Sequence, residues 1–289
     1  MIISFKKMLI RFIKKMIRFS GYELRGIKPR VAHNDYNAIH KFLISEVLKC
    51  QEPIIFDIGA NDGESIERFK KIFSKFKIYS FEPDDNAFQR LKKNYHNKEN
   101  IEIFDFGISN RDGNQKFYSY DHDKISSLMR LDADSKLFKS RKIAKNSGED
   151  FEKSKDIKIV KLDSFVKDKD IPRINILKID VQGYEPEVIE GAKYLIDNNK
   201  IDIIEMEIIL GYGYSKSISF YDIEKNLNNQ EYKLAAINYD SNIISFSNYQ
   251  IDVIYVSKMI FEKIKDLHHK NIEIEGVTRK TDKNNPYSY

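Results

Sequence analysis

An α/β fold on a mostly parallel sheet, antiparallel only near its end, is what this 289-residue sequence predicts. The expectation rests first on short apolar runs that alternate with helical patterns between residues 54 and 109. It rests also on the glycine-spaced turn that ends the first of those runs, FDIGANDG at 56–63. Beyond residue 230, finally, the strand-like runs EYKLAAIN, NIISFS and YQIDVIYVSK follow one another with no room for crossover helices. Strand–turn–helix repetition implies parallel strands with helices on the sheet faces, whereas closely spaced strands imply antiparallel pairing.

The chain opens on a basic amphipathic helix, residues 1–22. Lys7, Arg11, Lys14 and Arg18 form one stripe, and Phe5, Leu9, Phe12 and Met16 form another opposite it. Charges interrupt the segment too often for a membrane span or a signal-peptide core. Residues 23–49 are a lead-in whose second half, NDYNAIHKFLISEVL, has a helical apolar pattern. The strand Ile54–Ile58, the turn, and a helix from about Glu64 to Phe73 come next. KIYSFEPDD is a strand closing on Glu82-Pro83, NAFQRLKKNY a helix, and NIEIFDFGIS a third strand. After the NRDG turn, NQKFYSYD reads as an additional strand. Residues 132–156 are rich in lysine, serine and acids and read as a mobile or helical surface insertion. The core resumes at IKIVKLDSFV, INILKIDVQGYEPEVIEGAKYLI gives strand, turn and helix, and KIDIIEMEIIL another strand. Tyr221–Asn228 reads as a helix, and residues 261–289 as a polar extension.

The formal net charge is +5, yet residues 1–22 hold six basic side chains and no acid, which leaves −1 for everything else. A near-neutral body argues against a nucleic-acid surface. The basic helix has two readings. Its apolar stripe packs on the domain or on a second subunit, or residues 1–19 lie on an anionic membrane surface. A cytoplasmic protein, peripheral on the inner face of the membrane in the second reading, fits the single cysteine. Cys50 cannot form an intrachain disulfide and reads as a small filler beside the first strand.

The glycine turn is not a triphosphate loop, because Gly63 is followed by Glu64 instead of Lys-Ser/Thr. Nor is it a dinucleotide fingerprint, since Asn61 stands where the second glycine belongs. Asp57 and Asp62 beside it suit a cationic ligand. Glu82, at the end of the next parallel strand, is placed to accept both hydroxyls of a ribose. An adenosyl group with a ribose, an ammonium and no phosphate fits these residues, which points to S-adenosyl-L-methionine.

The segments FDIGANDGES, FEPDDNAFQRLKKN, IEIFDFGISNRDG, KISSL, VKLDSF, LKIDVQGYEPEVIEGA and IIEMEIILGYGYS occur in the order seen in FkbM-type methyltransferases, and the chain resembles that family over roughly residues 50–257. The most specific part is Lys178-Ile179-Asp180-Val181-Gln182-Gly183-Tyr184-Glu185. The resemblance implies a Rossmann-like class I methyltransferase fold, seven strands with an antiparallel C-terminal strand, in a domain spanning 50–260. It implies S-adenosylmethionine-dependent methylation of an oxygen on a sugar, glycan or related small molecule. By position, Asp57, Gly59, Asn61 and Gly63 resemble the loop at the methionine end, Glu82 the ribose acid, Asp105 the adenine-facing residue, and Asp180 the residue at the catalytic mouth. Gln182 stands where many members carry glutamate, which leaves a metal or base role there open.

Methyl transfer to a hydroxyl needs alignment and a group that takes the proton. Asp180, Glu185 and Glu207 lie at or near strand ends and are the candidates, with Asp180 foremost. Glu185 before Pro186 also reads as a helix-start residue. Glu205 and Glu207 share a strand face, so one of them is expected to face solvent, and His122 reads as a loop residue sooner than a base. No histidine-rich cluster suggests a metal, although a loosely held Mg²⁺ stays open. A second enzyme reading is a nucleic-acid or protein methyltransferase; an amino-group methylase would show Asn/Asp-Pro-Pro-aromatic after the fourth strand, where this chain has Asp180-Val181-Gln182-Gly183. A membrane-attached binding module with a degenerate pocket is the alternative from another class.

Overall fold

The structure is a computed structural model describing residues 36–120, 123–135, 138–139, 142–143, 151–210, 213–216, 218–227, 232–239 and 249–269. The basic helix, His122, the NIISFS run and residues 270–289 lie outside the described residues; residues 261–269, expected as part of a polar extension, instead continue a helix whose Ile264 and Leu267 pack on the core.

Helix α1 (Tyr36–Lys41) runs into a π-helical turn, Phe42–Val47, which buries Leu43, Ile44 and Val47. Strand β1 (Ile54–Ile58) leads through the glycine turn to α2 (Glu64–Ile72), then β2 (Lys77–Phe81), α3 (Asp85–Tyr95) and β3 (Ile101–Phe104). Asp84 caps α3, its Oδ1 accepting from the Asn86 and Ala87 amides. Strands β4 (Gly107–Ser109), β5 (Gly113–Tyr120) and β6 (Glu152–Lys161) follow, then α4 (Leu162–Asp168) and β7 (Ile174–Ile179). The chain continues through α5 (Glu185–Gly191), α6 (Lys193–Asp197), β8 (Ile201–Leu210) and α7 (Phe220–Leu227). It closes on β9 (Tyr232–Tyr239), β10 (Tyr249–Ser257) and α8 (Lys258–His269).

Seven strands form one sheet in the order β3-β2-β1-β7-β8-β10-β9. Neighbours from β3 to β8 are parallel, and β10 is antiparallel to both β8 and β9. This is the mostly parallel seven-stranded sheet of the class I methyltransferase fold, with its antiparallel strand near the C-terminus. Period-two alternation divides the sheet into two cores. Phe56, Ile58, Phe81, Leu177, Ile179 and Met206 face one way, and Ile55, Ile78, Ile176 and Ile203 the other. Each such side chain, fully buried, contributes about 1.5–3 kcal/mol.

A second, three-stranded sheet, β4-β6-β5, was not legible as such in the sequence. The run NIEIFDFGIS is not one strand. Its apolar alternation slips by one residue, from Ile101 and Ile103 to Phe104, Phe106 and Ile108, and the chain changes sheet at the slip. The 132–156 segment also ends earlier than expected, because β6 already begins at Glu152. Residues Glu152–Asp156 are polar because that half of β6 pairs with β5 through its backbone and is largely solvent-facing. The run IKIVKLDSFV holds the end of β6 and turns helical at Leu162.

Candidate active site

The sheet face that buries Ile55, Ile78, Ile176 and Ile203 changes character two residues further along. There Asp57, Ser80, Lys178 and Glu205 stand side by side in register across β2, β1, β7 and β8. Buried charges cost several kcal/mol each unless partnered. Here they are partnered. Lys178 Nζ lies 3.5 Å from Asp57 Oδ1 and 3.2 Å from Asp180 Oδ2. Arg68 of α2 forks onto Glu205, Nη1 to Oε1 at 2.8 Å and Nη2 to Oε2 at 2.9 Å. His40 Nε2 is 3.2 Å from Glu205 Oε2, but burial lowers its pKa to about 4, so this is a polar contact of a neutral ring and not an ion pair.

Above this row a cavity of about 710 Å³ opens at the carboxyl ends of the strands, where strand order reverses between β1 and β7. Open α/β sheets bind ligands at such a switch point. Gly59 (φ +84°) makes it possible: a Cβ there would lie 1.9 Å from the Asp180 carbonyl oxygen. The turn is stitched to both neighbours, Gly59 and Ala60 amides donating to the Phe81 carbonyl at 3.0 Å and the Asp180 amide to Ile58 at 2.9 Å. Asn61 also takes a positive φ, +44°. Gly63 packs against the Tyr95 ring and does not line the cavity, while Asp62 turns outward to Arg90. Asp57 is wholly buried beneath the turn, and burial raises its pKa despite Lys178.

Glu82 is buried and lines the cavity. Its Oε2 accepts from the Asn61 amide at 2.8 Å and its Oε1 from the Asp84 amide at 2.7 Å, so one lone pair on each oxygen remains for a ligand. Burial pushes its pKa up to about 7. Asp105 is exposed and does not reach the cavity; the strand slip described above turns it to solvent. The adjoining wall is apolar, formed by Pro83, Phe106, Ile108, Phe117 and Leu128.

At the other end stand Asp180, Gln182, Glu207, Tyr214 and Asp252. Gln182, at φ +55°, donates both amide hydrogens, to Asp180 Oδ1 at 3.0 Å and Glu207 Oε2 at 2.7 Å. A glutamate there would add a third carboxylate where the amide ties two together. Tyr214 OH lies 3.2 Å from Gln182 Oε1. Burial raises the Asp180 carboxyl, but Lys178 and Gln182 outweigh it and hold the pKa below the ordinary value. Burial, then the Asp180 charge, pushes Glu207 up to about 8. Neither Glu205 nor Glu207 is solvent-exposed. Glu185 is fully buried outside the cavity lining, and its Oε1 accepts from the Val181 and Gly183 amides at 3.3 and 3.1 Å. It holds the turn that carries Gln182, so the structure does not bring it to the reacting centre. Among the described residues no group of His, Cys, Asp or Glu is arranged to hold a metal ion. Arg68, Tyr214 and Asp252 were not foreseen; the charged pair Glu205/Glu207 on the apolar face Ile201/Ile203 was the signal for a polar row there.

The sequence pattern of the methyltransferase FkbM domain matches residues 57–234. The chain belongs to the FkbM methyltransferase family. Similar proteins include the 2-O-methyltransferase NoeI of Sinorhizobium fredii strain NGR234, 28% identical over 155 residues, 54% of this chain and 63% of that protein. Methyltransferase 1 of Beauveria bassiana is 26% identical over 173 residues, 55% and 64% of the two chains. The hexuronic acid methyltransferase AglP of Haloferax volcanii is 25% identical over 159 residues, 54% and 56%. The matches span less than two thirds of the length of each of these relatives. The FkbM match begins at Asp57 and ends in β9, so among the described residues it takes in every one that lines the cavity except Asp252.

Proposed function

We propose that this FkbM protein is an S-adenosylmethionine-dependent O-methyltransferase acting on a hydroxyl of a sugar or glycan. The observation that carries the donor is Glu82, a buried strand-end carboxylate with acceptor capacity left over, facing a glycine turn with no phosphate-binding lysine. The residues fit the donor: Glu82 for the ribose, the apolar wall for the adenine, and the carboxylates near the β1 turn for the ammonium. S-adenosylmethionine supplies, when bound, a methyl group already activated on a sulfonium. Asp180, held ionised by Lys178, receives the acceptor hydroxyl and takes its proton. Gln182 fixes Asp180 relative to Glu207, which carries the pair's proton near neutral pH. The names of the 2-O- and hexuronic acid methyltransferases support an oxygen on a sugar as acceptor.

Calorimetric titration with S-adenosylmethionine tests the donor. Glu82→Gln should weaken binding by about 1.5–3 kcal/mol, the loss of charge-assisted hydrogen bonds. Because Glu82 ionises only above about 7, wild-type affinity should fall as pH drops through that value, and the variant should lose this dependence. Equal affinities at pH 8 would place the ribose elsewhere.

Residues 1–19, outside the described residues, are proposed as an address for anionic membrane, placing a cytoplasmic enzyme on the inner face beside a lipid-linked acceptor. The support is six basic residues and no acid in that segment on a near-neutral body. Each basic group near an anionic surface contributes about 1 kcal/mol. The full chain should co-sediment with phosphatidylserine vesicles at low salt and release as salt rises, whereas a chain starting at Gly21 should stay in solution. Both forms staying in solution would make the helix a packing element. Among the described residues no helix is long and apolar enough to cross a membrane.

A further inference from the structure

Resting on the methyl-transfer reading, we infer that the end of the cavity over β8 and β10 takes a glycosyl acceptor that is uncharged or carries a protonated amine. Asp252 is the residue that selects for it, against sugars bearing carboxylate or phosphate. Asp252 is the register partner of Glu207 on the neighbouring strand and lines the cavity. The Tyr36 hydroxyl donates to its backbone carbonyl, which pins the strand without engaging the carboxylate. Among the described residues no side chain donates to or pairs with that carboxylate. It therefore faces the cavity as an acceptor waiting for donors. Vicinal hydroxyls supply such donors, and an ammonium supplies a stronger one.

Among the described residues, the cations around it are all committed and leave nothing for an anionic acceptor. Among the described residues the lining holds three basic ones, Arg68, Lys124 and Lys178. The Arg68 fork is committed to Glu205, Lys124 pairs with Glu64 at 2.7 Å, and Lys178 sits between Asp57 and Asp180. Against them stand six acids, Glu64, Glu82, Asp180, Glu205, Glu207 and Asp252. Even with Glu82 and Glu207 protonated, the remaining four outnumber the three cations. Over β8 and β10 no free fork or ammonium among the described residues is left for a carboxylate or phosphate of the acceptor, and an anion unpaired there gives up its hydration without return. The acceptor is on this ground of a different class from the hexuronic acid in the name of the Haloferax relative.

Saturation-transfer NMR on the full chain with S-adenosylmethionine present tests this, using methyl α-glucoside, glucosamine, glucuronate and glucose 6-phosphate as probes. The first two should bind at least about tenfold more tightly than the anions, and Asp252→Asn should compress that ranking, chiefly by weakening glucosamine, because it removes one charge and frees no cation. Glucuronate or glucose 6-phosphate binding as well as the neutral sugar overturns the inference. So does an unchanged ranking in Asp252→Asn, or no transfer to methyl α-glucoside and glucosamine. Donor calorimetry on the same samples separates the two levels. Donor binding with a failed ranking removes the acceptor class alone, and absence of donor binding removes methyl transfer with it.

Discussion

Asp180→Asn should fold, bind S-adenosylmethionine, and lose turnover by about 10²–10⁴, the usual contribution of a positioned proton acceptor. The backbone of Asp180 stays where it is, because the hydrogen bond its amide donates to the Ile58 carbonyl does not involve the side chain. Lys178 keeps Asp57 as a partner, and Gln182 keeps Glu207. What disappears is the charge that receives the acceptor hydroxyl. A second readout distinguishes this from a general disturbance. The Asp180 charge is, after burial, the largest cause of the raised Glu207 pKa. Its removal should move the titration of Glu207 toward acid from about 8, visible as an acidic shift in the pH profile of the residual activity. Turnover within a few-fold of wild type, or a profile that stays in place, would remove Asp180 from the chemistry.

The roles of neighbouring carboxyls were harder to read than their presence. Asp57 and Asp180 sit at strand ends, Glu207 lies within β8 and Glu185 opens α5, and a sequence pattern that places all four near strand ends does not show depth. Depth is decided by which strand pairs with which. Asp57 becomes a buried counter-charge because β7 places Lys178 beside it. Glu185 becomes a turn holder because the chain doubles back at Gly183 and brings two amides to its Oε1. Glu82 was legible because its place depends only on two adjacent strands joined by one helix. Asp105 was misplaced because the parity slip between Ile103 and Phe104 sends the chain into a sheet whose other members lie up to about fifty residues further on. The second sheet is invisible locally for the same reason: β4 pairs with Ile159 and its neighbours, not with anything nearby in sequence. Asp252 was out of reach because it comes to the cavity only through antiparallel pairing with β8.

Gly59→Ala should be among the most damaging single methyl additions in the described residues. Two independent costs fall on it. At φ +84° a residue with a Cβ sits outside its favoured backbone regions, at about 1–3 kcal/mol. The added Cβ would also lie 1.9 Å from the Asp180 carbonyl oxygen and 2.9 Å from its carbon, and backbone atoms cannot swing aside as a side chain can. Relief requires β1 and β7 to separate at their carboxyl ends, which breaks the Asp180–Ile58 hydrogen bond and the turn's bonds to Phe81. Those are the contacts that shape the cavity, so donor binding should be lost along with stability. A control isolates the first cost. Gly113, at φ +136°, also adopts a backbone that disfavours side chains, but a Cβ there meets nothing within 4 Å. Gly113→Ala should therefore lose about 1–3 kcal/mol in urea unfolding and keep donor binding. Gly59→Ala should lose more than about 4 kcal/mol, a size reserved for packing or backbone collisions. If both variants unfold at the same urea concentration and both bind the donor, the close approach of the β1 turn to Asp180 does not exist in solution, and the switch-point cavity loses its physical basis.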